Sequence, residues 1–220
     1  MVKTTDILNT VRGQGLVPLF YHDDADLCAG ITTALYEGGV RILEFTNRGP
    51  GALRNFRILR QLINDKLPGM HLGIGTIKNE RDATAFIDAG ADFIISPIVH
   101  TGIAGITHAA GLLWVPGCLT PTEIALAETT GAKLVKVFPG SLVGPSYISA
   151  IKDIFPEILF MPTGGVDMTK ESISAWFKAG VVAVGLGSKL ITKEVLDKAS
   201  YKTLSAAAAE ALAIVHSVKN

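Results

Sequence analysis

Charge of either sign is scarce in this sequence, and neither sign is in excess. Charged residues make up 18% of the 220 positions, and 20 Lys and Arg residues balance 20 Asp and Glu residues. No basic run with interleaved aromatic residues interrupts this balance. A protein that binds nucleic acid or an anionic membrane surface usually carries clustered basic residues. We therefore expect no nucleic-acid partner and no membrane partner.

Long apolar runs and cysteine pairs are lacking as well. No apolar stretch approaches the ~18 residues that a membrane-spanning helix needs. Residues 1–6 carry an early acidic residue and lack the apolar segment of a secretory leader. Cys28 and Cys118 form no CxxC pattern and are typical of reduced thiols in a core. These features predict a soluble cytoplasmic protein.

Metal-ligand spacing is also absent from the sequence. No two histidines follow the HxxxH spacing that places two ligands on one helix face; the five are His22, His71, His100, His108 and His216. We therefore expect no metal ion, and we assign no catalytic role to any histidine.

Short apolar runs recur along the chain and predict eight strands. Several follow a glycine suited to ending a helix in the left-handed conformation. The predicted strands lie near residues 16–21, 41–46, 71–76, 93–97, 112–116, 134–139, 159–163 and 182–187. Helical patterns fill most of the gaps, for example residues 24–37, 53–66, 80–89 and 121–129, and an Ala-rich helix is predicted over 201–218.

Eight strands that alternate with helices indicate an α/β protein with the (β/α)8 TIM-barrel fold, a closed parallel eight-stranded barrel. The alternative is an open doubly wound sheet, which is disfavoured because no glycine-rich dinucleotide fingerprint follows the first strand. No Pro/Gly/Ser-rich linker is present, so residues 1–220 are predicted to form a single domain.

Lys136 is a lone cation in the apolar strand 134–138. Both faces of this strand are hydrophobic, so the lysine should be buried, and a buried lysine must be paired or neutral. A neutral lysine can form a Schiff base with a carbonyl substrate. By two-residue alternation Glu44 points into the same interior from the second strand. A structural salt bridge between the two residues is the alternative interpretation.

Glycines cluster at the ends of the last two predicted strands, in residues 162–165 and 185–188. In (β/α)8 enzymes the loops after strands seven and eight commonly bind phosphate through backbone N–H groups. One glycine pair alone would indicate an ordinary turn, but two such ends on neighbouring strands favour a phosphate site.

Seven short motifs share the order found in one known family. They are residues 43–46 with Arg48, residues 73–76, 96–97, 116–117 with 120–123, 136–139, 162–165 and 187–188. On these motifs, which span nearly the whole chain, the sequence resembles the KDPG/KHG aldolases. These are class I aldolases that act on 2-keto-3-deoxy-6-phosphogluconate (KDPG) and 4-hydroxy-2-oxoglutarate (KHG).

The resemblance implies a role for each matched residue. Lys136 would be the Schiff-base lysine and Glu44 the general acid/base. Arg48 and Thr76 would bind the substrate carboxylate. The pocket would be shaped by Pro97, Phe138 and Thr163, and the phosphate would be held by Gly164, Gly165, Gly187 and Ser188. The resemblance further implies a homotrimer that needs no metal or organic cofactor.

The expected reaction is therefore cleavage of a 2-keto acid phosphate, KDPG or a related 4-hydroxy-2-keto acid, to pyruvate and glyceraldehyde 3-phosphate. The phosphogalactonate isomer or unphosphorylated KHG could instead be the preferred substrate. A phospho-sugar isomerase or epimerase, and a non-enzymatic phosphometabolite-binding module, remain as alternative functions. The chain departs from the family pattern at Asn47, Gly49, Ile98 and Leu186, and it has Lys189 where Trp often follows the serine.

Overall fold

The computed structural model describes residues 4–219, which form nine short strands and ten α-helices. The strands are Leu16–Phe20 (β1), Ile42–Thr46 (β2), His71–Gly75 (β3), Phe93–Ile95 (β4), Leu113–Val115 (β5), Gly117–Cys118 (β6), Leu134–Val137 (β7), Leu159–Pro162 (β8) and Val184–Leu186 (β9). The helices are Thr4–Gln14 (α1), Ala25–Glu37 (α2), Ala52–Lys66 (α3), Glu80–Asp88 (α4), Thr101–Ala109 (α5), Pro121–Thr129 (α6), Gly144–Ile151 (α7), Lys170–Ala179 (α8), Lys193–Lys198 (α9) and Tyr201–Lys219 (α10). A 3-10 turn covers Gly140–Leu142.

The helices named from sequence are confirmed, and local hydrogen bonds explain where they begin. At α6 the Thr120 hydroxyl accepts from the Glu123 N–H at 3.3 Å, and the Glu123 carboxylate accepts from the Thr120 N–H at 2.8 Å. This reciprocal capping satisfies two N–H groups that the first turn leaves free. Among the described helices, none is long and apolar enough to cross a membrane.

The prediction of a closed eight-stranded TIM barrel is wrong. The strands form a six-stranded parallel sheet, ordered β5-β4-β3-β2-β1-β9, and a three-stranded parallel sheet, ordered β6-β7-β8. Pro116, which lacks an N–H group, is the last residue of the predicted fifth strand and separates two observed strands. Strand β5 pairs with β4, while β6 lies beyond the predicted strand and pairs with β7. Where β8 meets β9, the described pairing consists of the isolated bridge from Thr163 to Gly185 and the hydrogen bond that the Val182 N–H donates to the Phe160 carbonyl at 3.0 Å.

Apolar side chains from both sheets meet in one interior layer, which we call the inner cluster. It consists of Ile7, Val11, Val17, Ile42, Phe93, Ile95, Leu113, Val115, Leu134, Met161 and Ala183. Helix α1 supplies the first two members, so this helix covers the layer at the N-terminal ends of the strands. A second cluster fills the space between strands and outer helices. Burial on both faces explains why the strands are apolar almost throughout.

Candidate active site

Two opposite charges meet in the interior between the sheets. Lys136 Nζ on β7 lies 3.2 Å and 3.4 Å from the two carboxylate oxygens of Glu44 on β2. The side chains are 7% and 1% exposed, respectively. The sequence-based expectation that these residues face one interior is therefore confirmed. Their contact also links the six-stranded sheet to the three-stranded one.

Strand register places this pair on top of the inner cluster. Glu44 comes two residues after Ile42, and Lys136 comes two residues after Leu134, and both of these apolar residues belong to the cluster. Because side chains two apart share a strand face, both charges point into the interior toward the C-terminal ends of the strands. Lys136 is also in register with Met161, a third member of the cluster.

Glycines on β3 make room for the carboxylate. A Cβ on Gly75 would lie 1.8 Å from Glu44 Oε1, and a Cβ on Gly73 would lie 2.2 Å from the Phe93 ring. The space that these two glycines leave is occupied by side chains of the protein itself. Gly75 is thus required for the position of Glu44, and no larger residue fits there without moving the carboxylate.

A cavity of about 240 Å³ opens at the same ends of the strands. Seven of the sequence-predicted site residues line it: Arg48, Phe138, Thr163, Gly164, Gly165, Gly187 and Ser188. Lys136 is adjacent, since its Nζ lies 5.6 Å from the centre of the Phe138 ring. Phe138 lies one residue past the end of β7, so Lys136 lies next to the cavity without being part of its lining.

Thr76 and Pro97 are not in the lining of this cavity. Thr76 directly follows Gly75 and has a φ of 62°, a left-handed conformation that is uncommon for threonine. Pro97 lies against β6, because a Cβ on Gly117 would be 2.6 Å from the Pro97 carbonyl carbon. Gly117 is in register with Lys136. Thr76 therefore lies beside a glycine that contacts Glu44, and Pro97 lies beside a glycine in register with Lys136.

The Arg48 guanidinium is exposed and makes no hydrogen bond or ion pair within residues 4–219. Thr163 is 6% exposed, and its Oγ1 has no hydrogen-bond partner in the described chain. A buried hydroxyl without a partner carries a desolvation cost that a bound polar group would remove. Both side chains are therefore available to a ligand in the cavity.

The glycine-rich wall of the cavity has a backbone that side chains would disturb. Gly164 and Gly165 have φ values of 83° and 74°. A Cβ on Gly165 would lie 2.5 Å from the Ser141 Cα. Gly140 N–H donates to the Thr163 carbonyl at 2.9 Å, which fixes this wall against the 3-10 turn. Both φ values lie in the left-handed region, which glycine adopts without a steric penalty.

The opposite wall is a single helical turn after β9. The N–H groups of Leu190 and Ile191 donate to the Gly187 carbonyl at 3.0 Å and 2.9 Å. The N–H groups of Ser188 and Lys189 donate to no backbone carbonyl within residues 4–219. Free N–H groups at the start of a helical turn favour an anion.

A larger cavity, of about 430 Å³, lies at the N-terminal ends of the strands between α1 and α10. It contains none of the predicted site residues; its lining includes Gln14, Arg41 and His216. Size alone therefore does not identify the reactive site.

Within the described chain, no three His, Cys, Asp or Glu side chains are grouped so that they could hold a metal ion.

The family model described as "Aldolase: KDPG and KHG aldolase" matches residues 7–207. The chain belongs to the KDPG and KHG aldolase family. The KDPG and KHG aldolase relatives include the 2-dehydro-3-deoxy-6-phosphogalactonate aldolase of Escherichia coli (strain K12), 36% identical over 120 residues. That match covers 54% of this chain and 58% of the other protein, less than two thirds of its length.

Two further members of the family match almost the full chain. The 2-dehydro-3-deoxy-phosphogluconate aldolase of Dickeya dadantii (strain 3937) is 30% identical over 199 residues, which are 90% of this chain and 91% of that protein. A solved 2-keto-3-deoxy-6-phosphogluconate aldolase of Zymomonas mobilis ZM4 with 3-phosphoglycerate is 26% identical. The structural match covers 96% of this chain and 97% of the Zymomonas chain, with a TM-score of 0.84.

Relative to the family pattern, the glycine after Arg48 is explained by Tyr21. A Cβ on Gly49 would lie 2.2 Å from the Tyr21 hydroxyl oxygen, so this phenol occupies the space of the missing side chain. The hydroxyl hydrogen-bonds to Asp23. Burial and then this hydrogen bond raise the pKa of Tyr21 to about 12, so the phenol stays neutral at physiological pH.

Five further residues line the cavity although the sequence analysis assigned none of them an individual role: Leu19, Val166, Gly185, Leu186 and Lys189. Two of them were recognisable from their positions. Leu19 follows Val17 on the interior face of β1, and Lys189 directly follows Ser188. The proximity of Tyr21 to Gly49 had no sequence signal, because the two residues belong to different segments.

Proposed function

We propose that this protein is a class I aldolase whose Lys136 forms the Schiff base. It cleaves KDPG, or a related 4-hydroxy-2-keto acid, to pyruvate and an aldehyde, glyceraldehyde 3-phosphate in the case of KDPG. The observation that carries the proposal is the buried Lys136–Glu44 pair, 3.2 Å apart, beside a cavity with a glycine-rich wall. Family membership supports the same reaction.

Imine formation is the first chemical step. The Lys136 amine attacks the C2 ketone carbon, and the resulting carbinolamine loses water to give an iminium ion. Glu44 is within hydrogen-bond distance of Nζ and can accept a proton from the ammonium group. The same carboxyl group can then deliver a proton to the departing hydroxyl, so one residue serves both transfers.

Carbon–carbon cleavage follows from the iminium ion. The electron pair of the C3–C4 bond moves toward the iminium nitrogen while a base removes the C4 hydroxyl proton. Glu44 is the proposed base, acting directly or through a water molecule. The aldehyde leaves, the enamine is protonated at C3, and hydrolysis of the new imine releases pyruvate and restores Lys136.

Arg48 and Thr76 are proposed to bind the substrate carboxylate. Arg48 has an unpaired guanidinium on the cavity wall, and a planar guanidinium suits a carboxylate through two parallel hydrogen bonds. Thr76 follows Gly75, the residue in contact with Glu44. Pro97, Phe138 and Thr163 are proposed to shape the pocket around the reacting carbons.

The substrate phosphate is proposed to bind between Gly164–Gly165 and Gly187–Ser188. The free N–H groups on the turn after β9 and the left-handed glycines of the facing wall support this position. KDPG, its phosphogalactonate isomer and unphosphorylated KHG are the candidates, and a panel of kcat/KM values on the three compounds distinguishes them.

The proposed active form is a cytoplasmic homotrimer in which residues 1–220 make one catalytic domain. The family resemblance supports the trimer, and the absence of charge excess supports a small-molecule partner over nucleic acid. Light scattering coupled to size-exclusion chromatography measures the oligomeric state directly.

Borohydride reduction in the presence of pyruvate tests the mechanism. We expect a reduced pyruvyl adduct on Lys136, located by peptide mass analysis. Lys133→Met is the matched control, because Lys133 is exposed and lies three residues earlier. This variant should retain the adduct, whereas Lys136→Met should lose both adduct and turnover. An active wild-type preparation without an adduct on Lys136 contradicts the proposal and favours the isomerase or epimerase alternative.

A further inference from the structure

Lys189 adds a second cation to the wall of the cavity. The charged residues that line this cavity are Arg48 and Lys189, and both are basic. The sequence resemblance gives Lys189 no role. Its charge adds to the backbone N–H groups proposed above to hold the phosphate.

The Lys189 ammonium forms an exposed ion pair with Asp167. The Nζ lies 2.8 Å from the Asp167 carboxylate, and the two side chains are 64% and 56% exposed. Asp167 follows the Gly164–Gly165 wall, while Lys189 follows Gly187–Ser188, so their contact bridges the two walls of the proposed phosphate site. Exposed pairs of this kind are weak and exchange partners readily.

A phosphate monoester brings about −1.5 to −2 charges into this site at neutral pH. An ammonium group about 4 Å from a unit charge gains about 1 kcal/mol in water, which is about fivefold in an equilibrium constant. The carboxylate of Asp167 opposes the same phosphate and offsets part of this attraction. The carboxylate at the reacting end of the substrate is the proposed partner of Arg48 and Thr76, and it receives no comparable contribution from Lys189 or Asp167.

We propose that Lys189 selects phosphorylated substrates, and that Asp167 competes with the substrate phosphate for its ammonium group. This inference rests on the proposed aldolase function and specifies its substrate class. Lys189 acts on the distal end of the substrate, so its removal should discriminate between substrates that carry a phosphate and those that do not.

The test compares kcat/KM for KDPG and for unphosphorylated KHG. Lys189→Met should lower the value for KDPG about fivefold and change the value for KHG less than about twofold. Lys189→Arg should restore the KDPG value, since it keeps the charge. Asp167→Asn should raise the KDPG value about twofold or more, because it removes the competing anion. Lys170→Met is the matched control, since Lys170 is exposed, begins α8 and does not line the cavity.

Ionic strength gives a second readout that a purely structural role would not move. The difference between wild type and Lys189→Met on KDPG should shrink as salt is raised from about 0.01 M to about 1 M, where the Debye length falls from about 30 Å to about 3 Å. The inference is overturned if Lys189→Met loses kcat/KM equally on KDPG and KHG, or if its kcat/KM for KDPG is unchanged.

A binding measurement separates this inference from the proposed function. The Kd of inorganic phosphate, measured by calorimetry, should rise about fivefold in Lys189→Met and stay unchanged in Lys170→Met. A higher Kd in Lys189→Met, together with no borohydride adduct on Lys136 of the wild type, supports the phosphate role while the aldolase mechanism fails. An adduct on Lys136 with an unchanged phosphate Kd leaves the aldolase intact and refutes the role of Lys189.

Discussion

The buried ion pair makes a strong prediction about stability that is independent of turnover. Lys136→Met leaves the Glu44 carboxylate, which is 1% exposed, without its cation. Glu44→Gln leaves the Lys136 ammonium without its anion. Removing one partner of a buried pair typically costs about 3–5 kcal/mol, because the remaining charge stays desolvated. Each single variant should lose that much free energy of unfolding.

The separation of the two groups sets the scale of their coupling. At 3.2 Å and an effective dielectric constant of about 20, two unit charges attract by about 5 kcal/mol before desolvation is counted. The double variant Glu44→Gln/Lys136→Met contains no orphaned charge. It should therefore lose less free energy than the two single variants combined, with a coupling energy of about 2–3 kcal/mol.

Urea denaturation at fixed protein concentration measures the free energies of unfolding of the wild type, the two single variants and the double variant. Circular dichroism and tryptophan fluorescence monitor the unfolding. The buried residues Trp114 and Trp176 report on loss of tertiary structure. The matched control is the exposed pair of Lys198 and Glu194, 3.0 Å apart and about 70% exposed. A double-mutant cycle at this exposed pair should give a coupling energy of about 0.3–0.5 kcal/mol. Additive losses at Glu44 and Lys136, within about 0.5 kcal/mol, would refute the reasoning.

Two further predictions concern a glycine and the thiols. Gly75→Ala should lower kcat about 100-fold, since the new Cβ displaces the Glu44 carboxylate by an ångström or more; Gly105→Ala, where a Cβ meets open space, should keep wild-type kcat. Burial raises the pKa of Cys28 and of Cys118 to about 12, so both thiols should resist alkylation at pH 8 until urea exposes them. Unfolded thiols ionise near pH 9 while folded ones stay protonated, so the free energy of unfolding should fall as pH rises from about 9 toward 12. Rapid alkylation of the native protein, or a rise in stability over that range, would contradict the thiol prediction.

The ion pair was predictable because it depends on local alternation. The positions of Glu44 and Lys136 within apolar strands place both on interior faces, whatever the order of the strands. The start of α6 was predictable for a similar reason, since the capping contacts join Thr120 to a residue only three positions away. In both cases the information lies within a few residues of sequence.

The closure of the sheet was not predictable in the same way. It depends on whether Pro116 interrupts a strand or merely ends it, and on how many hydrogen bonds form where β8 meets β9. The space at Gly49 likewise depends on where Tyr21 lies, 28 positions earlier in the sequence. Distances between separate segments are set by tertiary packing, and a single sequence does not encode them in any short pattern.

The inner cluster has a consequence for the order in which the products of the proposed reaction would leave. Its apolar side chains lie beneath Glu44 and Lys136, so both carbon fragments would depart on the side of the cavity lined by Arg48 and Ser188. The aldehyde would be released without a covalent bond to the protein, whereas pyruvate would stay attached to Lys136 until its imine is hydrolysed. Exit through one opening would therefore be sequential, with the aldehyde first. Pyruvate would then compete with fresh substrate for the free lysine, and an aldehyde that returned to the enamine would run the reaction backward.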